Sequence, residues 1–167
     1  MTTSAVHSGT SAAEGVTATT AAFAKKTVPA SSDAYARVAF DVVSQTTALT
    51  LLRLRATPTG GSGGFVQLTS TGRLAFRNDT TATTTTSATA PGAGWHVLEL
   101  HLHVGTNPGD LGTVEVWLDG ALVTDLSSTG VSIGTTPQAS LQIGDTATGT
   151  WDVVFDDAAF GTSRLGV

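Results

Sequence analysis

The sequence contains no cysteine, which excludes a disulfide, a thiolate metal site and a cysteine nucleophile. Charged residues make up only 13% of the 167 residues, against about 25% in typical globular proteins. Lysine occurs only at Lys25 and Lys26 and the formal net charge is −5, so we expect no basic face and no nucleic-acid partner. The sequence contains no run of about 18 apolar residues, so we expect no membrane span. It also shows no charged segment followed by an apolar segment and a cleavage site, as a secretory leader would.

Threonine and alanine dominate what is present. There are 31 threonines and 23 alanines, so much of the 40% apolar fraction is small, and threonine favours strands over helices. The length suits one domain. We expect residues 1–20 to be a weakly structured segment or a first strand, and residues 21–167 to be a single domain.

Strand signals recur along the whole chain. VEVWLDGALVTDL alternates on both sides of Asp119-Gly120, which predicts a two-residue hairpin turn, and FVQLTSTGRLAFRN predicts a second hairpin near Thr71-Gly72. WHVLELHLHV alternates strictly, which predicts that Leu100 and its alternate neighbours point inward and His101 and its alternate neighbours outward. About ten strands and no helical period predict an all-β, antiparallel sandwich or barrel. The threonine-rich segment 80–89 fits a loop or an edge strand equally well.

The order of four of these segments resembles a known family. WHVLELHLHV, VEVWLDGALVTDL, LQIGD and TWDVVFDDAAFGT are similar to the second half of the concanavalin A-like, laminin-G-like jelly-roll domains of secreted bacterial proteins. The resemblance extends upstream through AYARVAFDVV, LLRLRA and GRLAFRND. It implies two packed antiparallel sheets, an extracellular or cell-surface location, and a role in binding glycans or protein partners or as a spacer beside a catalytic module.

The same resemblance bears on a structural calcium ion. In such jelly rolls an aspartate of the closing strand often holds calcium together with a first strand that carries an F-E-x-G-like sequence. Asp156 and Asp157 stand where that aspartate would come from, and carboxylates are suitable oxygen ligands. The first-strand sequence is missing before Val6, and no other cofactor is expected.

One strand face carries the candidate site. Glu99, His101 and His103 share a face of one strand, and Glu115 and Trp117 join it if the next strand pairs beside it. The face predicts carbohydrate binding with Trp117 stacking on a sugar, unless all three tryptophans are core or rim residues. The histidine pair also fits zinc or plain polar decoration.

Four arginines form a second pattern. Arg53 and Arg55 are spaced by two residues, and Arg73 and Arg77 by four, so each pair faces one way. A solvated sheet face paired with aspartates explains them, and an anionic-glycan site is the alternative.

Three functions follow from these features. The first is a non-catalytic extracellular module that binds a polysaccharide or cell-surface glycan. The second is a self-assembling subunit of a surface filament, sheath or virion decoration, in which copies pair through sheet edges. The third is a glycoside hydrolase-like enzyme with Glu99 and Glu115 as its carboxylate pair. The E-x-D-x-x-E signature of related sandwich glucanases is absent, so the sequence favours the first function and no enzymatic activity.

Overall fold

The computed structural model describes residues 1–3, 5–57 and 60–167, and in these residues the chain forms thirteen strands rather than about ten. The strands are β1 (Ala13–Thr17), β2 (Ala22–Ser31), β3 (Asp33–Gln45), β4 (Leu49–Arg55), β5 (Ser62–Leu68), β6 (Leu74–Asn78), β7 (Thr83–Thr86), β8 (Trp95–His103), β9 (Gly112–Leu118), β10 (Ala121–Leu122), β11 (Ser128–Val131), β12 (Gln138–Asp145) and β13 (Trp151–Gly161). Between β10 and β11 lies a short 3₁₀ turn, Thr124–Leu126.

Two antiparallel sheets make up the fold. The seven-stranded sheet has the order β1-β13-β3-β8-β9-β10, with β11 also paired to β9, and the six-stranded sheet has the order β2-β12-β4-β5-β6-β7. The predicted all-β antiparallel sandwich is therefore confirmed. Within the described ranges no helix has the length and apolarity that a membrane crossing requires.

The core lies between the sheets and follows the predicted alternation. Leu98, Leu100 and Leu102 of β8 are fully buried, and they pack in one cluster with residues of the opposite sheet such as Leu54 and Val66. Because side chains alternate along a strand, the residues between them lie on the outer faces of the two sheets. The predicted glycan-binding face of residues 99–103 and 115–117 therefore lies on the outer side of its sheet.

The predicted turns are present. Asp119 and Gly120 have φ of 51° and 78°, the left-handed values that a two-residue hairpin turn needs, and they join β9 to β10. Gly72 also has a positive φ, in the turn between β5 and β6. The strand predicted after Asp119-Gly120 is only two residues long, since the chain turns into the 3₁₀ segment.

The chain's threonine-rich and N-terminal segments both join sheets. Thr83–Thr86 pairs with β6 at the edge of its sheet. Of the two alternatives for the threonine-rich segment, a loop or an edge strand, the structure therefore shows the edge strand. The strand β1 (Ala13–Thr17) pairs with β13 of the same chain, and Thr17 lies opposite Trp151. Donation of this segment to a second copy, on which the self-assembly hypothesis depended, would require β1 to leave its own sheet.

Candidate functional site

The five residues of the predicted glycan-binding face lie side by side on the seven-stranded sheet. Pairing of β8 with β9 sets His101 opposite Glu115 and Glu99 opposite Trp117, with His103 one step further along the same face. The sequence therefore predicted their common face correctly. It did not predict how strongly these side chains are engaged with one another and with the C-terminal segment.

His101 is buried and held on three sides. Its Nδ1 lies 2.7 Å from Glu115 Oε2 and its Nε2 lies 2.5 Å from Asp33 Oδ1. The Tyr35 ring stacks on the imidazole with the two ring centroids 4.0 Å apart. Because both ring nitrogens are engaged, His101 has no nitrogen free for a metal ion or a substrate proton. Among residues 1–3, 5–57 and 60–167, no group of histidine and acidic side chains could hold a metal ion.

Trp117 is covered, not open for stacking on a sugar. Only 7% of its surface is exposed, and the guanidinium carbon of Arg164 lies 4.7 Å from its ring centroid. Arg164 also donates to the Gly120 carbonyl, and Arg37 donates to the Gly166 carbonyl. The C-terminal segment, residues 162–167, therefore lies across the outer face where the sequence predicted a sugar platform.

Glu99 fastens this segment. Its carboxylate is 3% exposed and accepts hydrogen bonds from the backbone N–H of Leu165 at 2.6 Å and of Gly166 at 3.1 Å. Glu115 is likewise engaged by His101. Glu99 and Glu115 share a face, as a carboxylate pair in a glycosidase would, but both are occupied in holding other parts of the protein.

Replacing Glu99 with alanine should free the C-terminal segment. Hydrogen bonds to a carboxylate are strong, and Glu99→Ala removes the acceptor of both N–H groups. We expect amide hydrogen exchange at Leu165 and Gly166 to become about tenfold faster or more. The matched control is Glu14→Ala, which removes an exposed carboxylate from β1. Unchanged exchange at Leu165 and Gly166 in the Glu99 variant would show that the segment is held by other contacts.

The predicted calcium residues anchor an N-terminal loop. Asp156 Oδ2 accepts the backbone N–H groups of His7 at 3.0 Å and Ser8 at 3.1 Å. Asp157 accepts the Ser8 hydroxyl at 2.6 Å and lies 2.7 Å from His7 Nδ1. Hydrogen-bond donors thus point at oxygens that a calcium ion would need, so calcium binding by Asp156 and Asp157 stays a prediction that these contacts do not support.

The Asp157 anchor should make stability depend on pH. The Ser8 hydroxyl, and then His7, hold the pKa of Asp157 below its usual value. A folded-state pKa below the unfolded value, about 3.9, gives stability that is complete above that value and is lost as pH falls through the lower folded pKa. Asp157→Asn keeps the left-handed backbone, φ 48°, within the range that asparagine tolerates.

We therefore expect wild type to have the larger free energy of unfolding near neutral pH. The difference from Asp157→Asn should shrink as the pH falls below about 3.9. Urea denaturation of wild type and Asp157→Asn, from neutral pH to below about 3.9, measures this difference in the free energy of unfolding. A difference that is constant with pH would mean that the Asp157 charge does not contribute to the anchor.

The outer face of the six-stranded sheet carries a second constellation, which the sequence indicated only in part. The register aligns one residue from each strand in a row that crosses the sheet, which we call the cationic row: Lys25 (β2), Gln142 (β12), Arg53 (β4), Phe65 (β5), Arg77 (β6) and Thr84 (β7). Arg55 and Ser140 pair beside it in the adjacent row. Half of the eight lysines and arginines of the chain lie here, so the expectation of no basic face is wrong.

Gln142 and Ser140 form the floor of this face. Both are fully buried, although they alternate with the inward-facing Leu141 and therefore point away from the core. Arg55 Nε donates to Gln142 Oε1 at 2.9 Å, and Gln142 Nε2 donates to the Gly144 carbonyl at 3.0 Å. The amide of Gln142 is thereby fixed between a cation and the backbone.

Gly144 allows β2 to pass close to this floor. It has φ 76°, and a Cβ atom there would lie 2.4 Å from the Ala22 carbonyl oxygen. A side chain at this position would therefore displace the backbone of β2, the strand that carries Lys25.

Two polar atoms of the face are buried without a partner in the described part of the chain. They are Ser140 Oγ and Arg53 Nε. The Arg53 guanidinium lies over the Phe65 ring, with its carbon 3.8 Å from the ring centroid. Buried polar atoms are nearly always hydrogen-bonded in native proteins, so each of these unpaired atoms calls for an explanation. A polar ligand that they bind is one.

The positive charges are only weakly compensated. Among the described residues no carboxylate forms an ion pair with Arg53 or Arg55, and Asp79 lies 3.6 Å from Arg77 at one end of the row. Burial and the neighbouring Arg55 lower the pKa of Arg53, which Asp79 and Asp145 partly oppose. Desolvation, and then Arg55 and Arg53, lower the pKa of Lys25. Among the described residues the face thus holds two arginines, Arg53 and Arg55, that form no ion pair, and a lysine with an increased tendency to lose its proton.

Of the arginines singled out in the sequence, three meet on this face and Arg73 does not belong to the row. Arg73 is exposed in the turn between β5 and β6. Sequence reasoning missed Lys25, Gln142, Ser140 and Phe65. One signal could have found Gln142: it is a polar residue at the centre of the otherwise apolar strand segment Leu141–Ile143.

No family model and no curated protein matches this chain. Solved structures do resemble it. An endo-β-1,4-glucuronan lyase from the fungus Trichoderma reesei is 16% identical with a TM-score of 0.63, over 96% of this chain and 85% of the lyase. Alginate lyase Aly36B, in a mutant complex with alginate tetrasaccharide, is 11% identical with a TM-score of 0.61, over 93% of this chain and 82% of that one.

Sialidases match over a small part of their length. Trypanosoma rangeli sialidase is 14% identical with a TM-score of 0.59, over 80% of this chain and 21% of the sialidase. At such identities the likeness shows the fold, and the predicted resemblance to jelly-roll sandwiches is supported at that level.

The same neighbours contradict two predictions. Two structures that match over most of their own length are named as polysaccharide lyases, which are enzymes. The prediction of a non-catalytic binding or assembling module, and that of no enzymatic activity, are therefore corrected. The reasoning failed because the absence of the glucanase signature tests for one chemistry, hydrolysis by two carboxylates, and a sandwich supports others.

Proposed function

We propose that this protein is an enzyme that cleaves an acidic, uronate-containing polysaccharide by β-elimination on the outer face of the six-stranded sheet. One observation carries the proposal. Within the described part of the chain Arg53 and Arg55 have no carboxylate partner, and they lie beside the buried, unpaired Ser140 Oγ and the fixed amide of Gln142. A sugar carboxylate supplies the negative charge and the acceptor oxygens that this arrangement lacks.

Arg53 has the role of binding the carboxylate of the substrate. Its planar guanidinium presents paired donors that match a carboxylate, and stacking on Phe65 fixes its plane. Elimination removes the proton on the carbon next to the carboxylate, and negative charge then develops on the carboxylate oxygens. The guanidinium at those oxygens stabilises this charge and makes the proton more acidic, while the buried amide of Gln142 holds Arg55 in place beside it.

Lys25 has the role of the base. It shares the row with Gln142 and Arg53 from a position two strands away, with its Nζ 4.7 Å from the Phe23 ring centroid, so its flexible side chain must turn toward the sugar at Arg53. Its lowered pKa increases the fraction of free amine. The amine takes the C5 proton, the electron pair of that C–H bond forms the C4–C5 double bond, and the C4–oxygen bond breaks. Its electron pair stays on the glycosidic oxygen, which takes a proton from water, so the products are an unsaturated uronate and a free sugar hydroxyl.

Two further aspects follow from the same proposal. The lyases that share this fold act, by their names, on glucuronan and alginate, which supports a polyuronate as substrate. We assign the chain to the concanavalin A-like group of jelly rolls, and we place its action outside the cell, where such polymers are found.

Adjacent lysines provide the experiment. Lys25 lies opposite Gln142 in the row, while Lys26 lies opposite Leu141 and points to the other side of β2. On a polyuronate, we expect Lys25→Gln to lower kcat by about 10²-fold to 10⁴-fold, as for loss of a general base, and Lys26→Gln to retain activity. Ultraviolet absorbance of the unsaturated product measures both rates.

The pH profile separates a base from a mere binding charge. The wild-type rate should rise with pH as the Lys25 amine forms, with an apparent pKa below the usual value for lysine. Equal losses in Lys25→Gln and Lys26→Gln, or a rate that falls as the pH rises through this range, would contradict the assignment of Lys25.

A further inference from the structure

Positive charge recurs at every second strand of the cationic row. Lys25 lies on β2, Arg53 on β4 and Arg77 on β6, and the uncharged Gln142 and Phe65 lie on the strands between them. Neighbouring strands are about 4.8 Å apart, so positions two strands apart are separated by about 10 Å. The row therefore presents cations at a regular interval across the sheet.

Arg77 is held in the row by two polar neighbours and keeps free donors. Its Nη1 lies 3.3 Å from Thr84 Oγ1, and its Nε lies 3.6 Å from Asp79. Its side chain keeps 34% of its surface exposed, so donors remain available to a ligand. Phe65 separates the two arginines, and its ring is stacked with Arg53.

We propose that Arg77 binds a second carboxylate of the same polymer, two sugar units away from the one at Arg53. This inference rests on the proposed function and specifies its substrate. In an extended 1,4-linked polyuronate with near-twofold symmetry, successive carboxylates point to opposite edges, and every second one returns to the same edge after one disaccharide. That repeat has the length of two strand spacings, so the polymer crosses the strands with alternate carboxylates on Arg53 and Arg77.

The spacing also implies which polymers bind poorly. A neutral glycan offers no carboxylate to either arginine, and a polymer with one uronate in a longer repeat satisfies only one of them. The substrate class is therefore a continuous 1,4-linked polyuronate, for which the second arginine adds affinity once the oligosaccharide is long enough to reach both positions.

Binding of oligouronates of increasing length tests this inference. Isothermal titration in the Lys25→Gln background, which suppresses cleavage, compares a disaccharide with a tetrasaccharide. We expect the tetrasaccharide to bind about tenfold more tightly, the amount that one added hydrogen-bonded charge pair contributes. Arg77→Gln in the same background should remove this gain, and Arg77→Lys should keep part of it. Arg73→Gln, which removes an exposed arginine outside the row, should leave the gain intact.

The outcomes separate this inference from the proposed function. Equal affinity for both lengths, or a gain that survives Arg77→Gln in a protein with unchanged melting temperature, overturns the second carboxylate position. A length-dependent gain that Arg77→Gln removes, in a protein whose wild type releases no unsaturated product, supports the position and overturns the elimination chemistry. Binding of no oligouronate at all overturns both.

Discussion

Replacing Arg53 with glutamine should abolish most of the activity on a polyuronate. The variant keeps a polar side chain of similar length but loses the charge and the paired donors that stabilise the developing carboxylate charge. Loss of one such preorganised donor typically costs about 10²-fold to 10³-fold in kcat. Because Arg53 has no ion-pair partner among the described residues, its removal should leave the fold intact.

The matched control is again Arg73→Gln, an equal change of charge away from the row. Initial rates by ultraviolet absorbance and melting temperatures of wild type and both variants complete the measurement. Arg53→Lys, which keeps the charge but not the planar pair of donors, should fall between wild type and Arg53→Gln. Comparable rates for wild type and Arg53→Gln would show that the substrate carboxylate is bound elsewhere.

Leu100→Ala should be strongly destabilising. Leu100 is fully buried at the centre of β8, between two other core leucines, and the substitution leaves a cavity that the surrounding strands fill only partly. We expect a loss of about 2–5 kcal/mol in the free energy of unfolding. Leu111, which is 60% exposed, provides the control, and Leu111→Ala should cost under about 0.5 kcal/mol.

Urea denaturation of the two alanine variants measures this difference directly. Similar losses in both would mean that β8 does not present Leu100 to the core. The outer-face positions of β8, including Glu99 and His101, would then be misplaced as well, because a shift of one residue exchanges the two faces of a strand.

Local patterns in the sequence predicted the all-β antiparallel class, and the family resemblance predicted the sandwich. The period-two alternation in residues 95–103 and the Asp119-Gly120 turn each depend on neighbouring residues only, and both are present in the structure. The face shared by Glu99, His101 and Trp117 followed from the same alternation once β9 was taken to pair beside β8.

Contacts between distant parts of the chain could not be predicted in this way. The cationic row exists because β12 lies between β2 and β4, which brings Gln142 beside Arg53 and Lys25. No local pattern indicates that pairing. Taken one at a time, the arginines fit an ordinary solvated face. What distinguishes this face is that Arg53 and Arg55 have no carboxylate partner among the residues that the structure describes, and that Ser140 is buried and unpaired there.

The C-terminal segment shows the same limit for the other face. Trp117 follows the pattern of an outward-facing aromatic residue, and its position on the outer face was predicted correctly. Its burial depends on Arg164, 47 residues later in the chain, and on the two N–H groups that Glu99 accepts. Alternation predicts which face a side chain lies on, but it contains no information on what else covers that face.

A comparison of two polymers with the same backbone tests the central claim most directly. One is a 1,4-linked polyuronate, and the other is the same polymer after chemical reduction of its carboxylates to primary alcohols. Wild-type protein should release unsaturated, ultraviolet-absorbing ends from the polyuronate and none from the reduced polymer, because only the carboxylate binds Arg53 and acidifies the neighbouring proton. Failure to form unsaturated ends from the polyuronate, or cleavage of both polymers at equal rates, would contradict the assignment of the cationic row as a site of elimination on acidic polysaccharides.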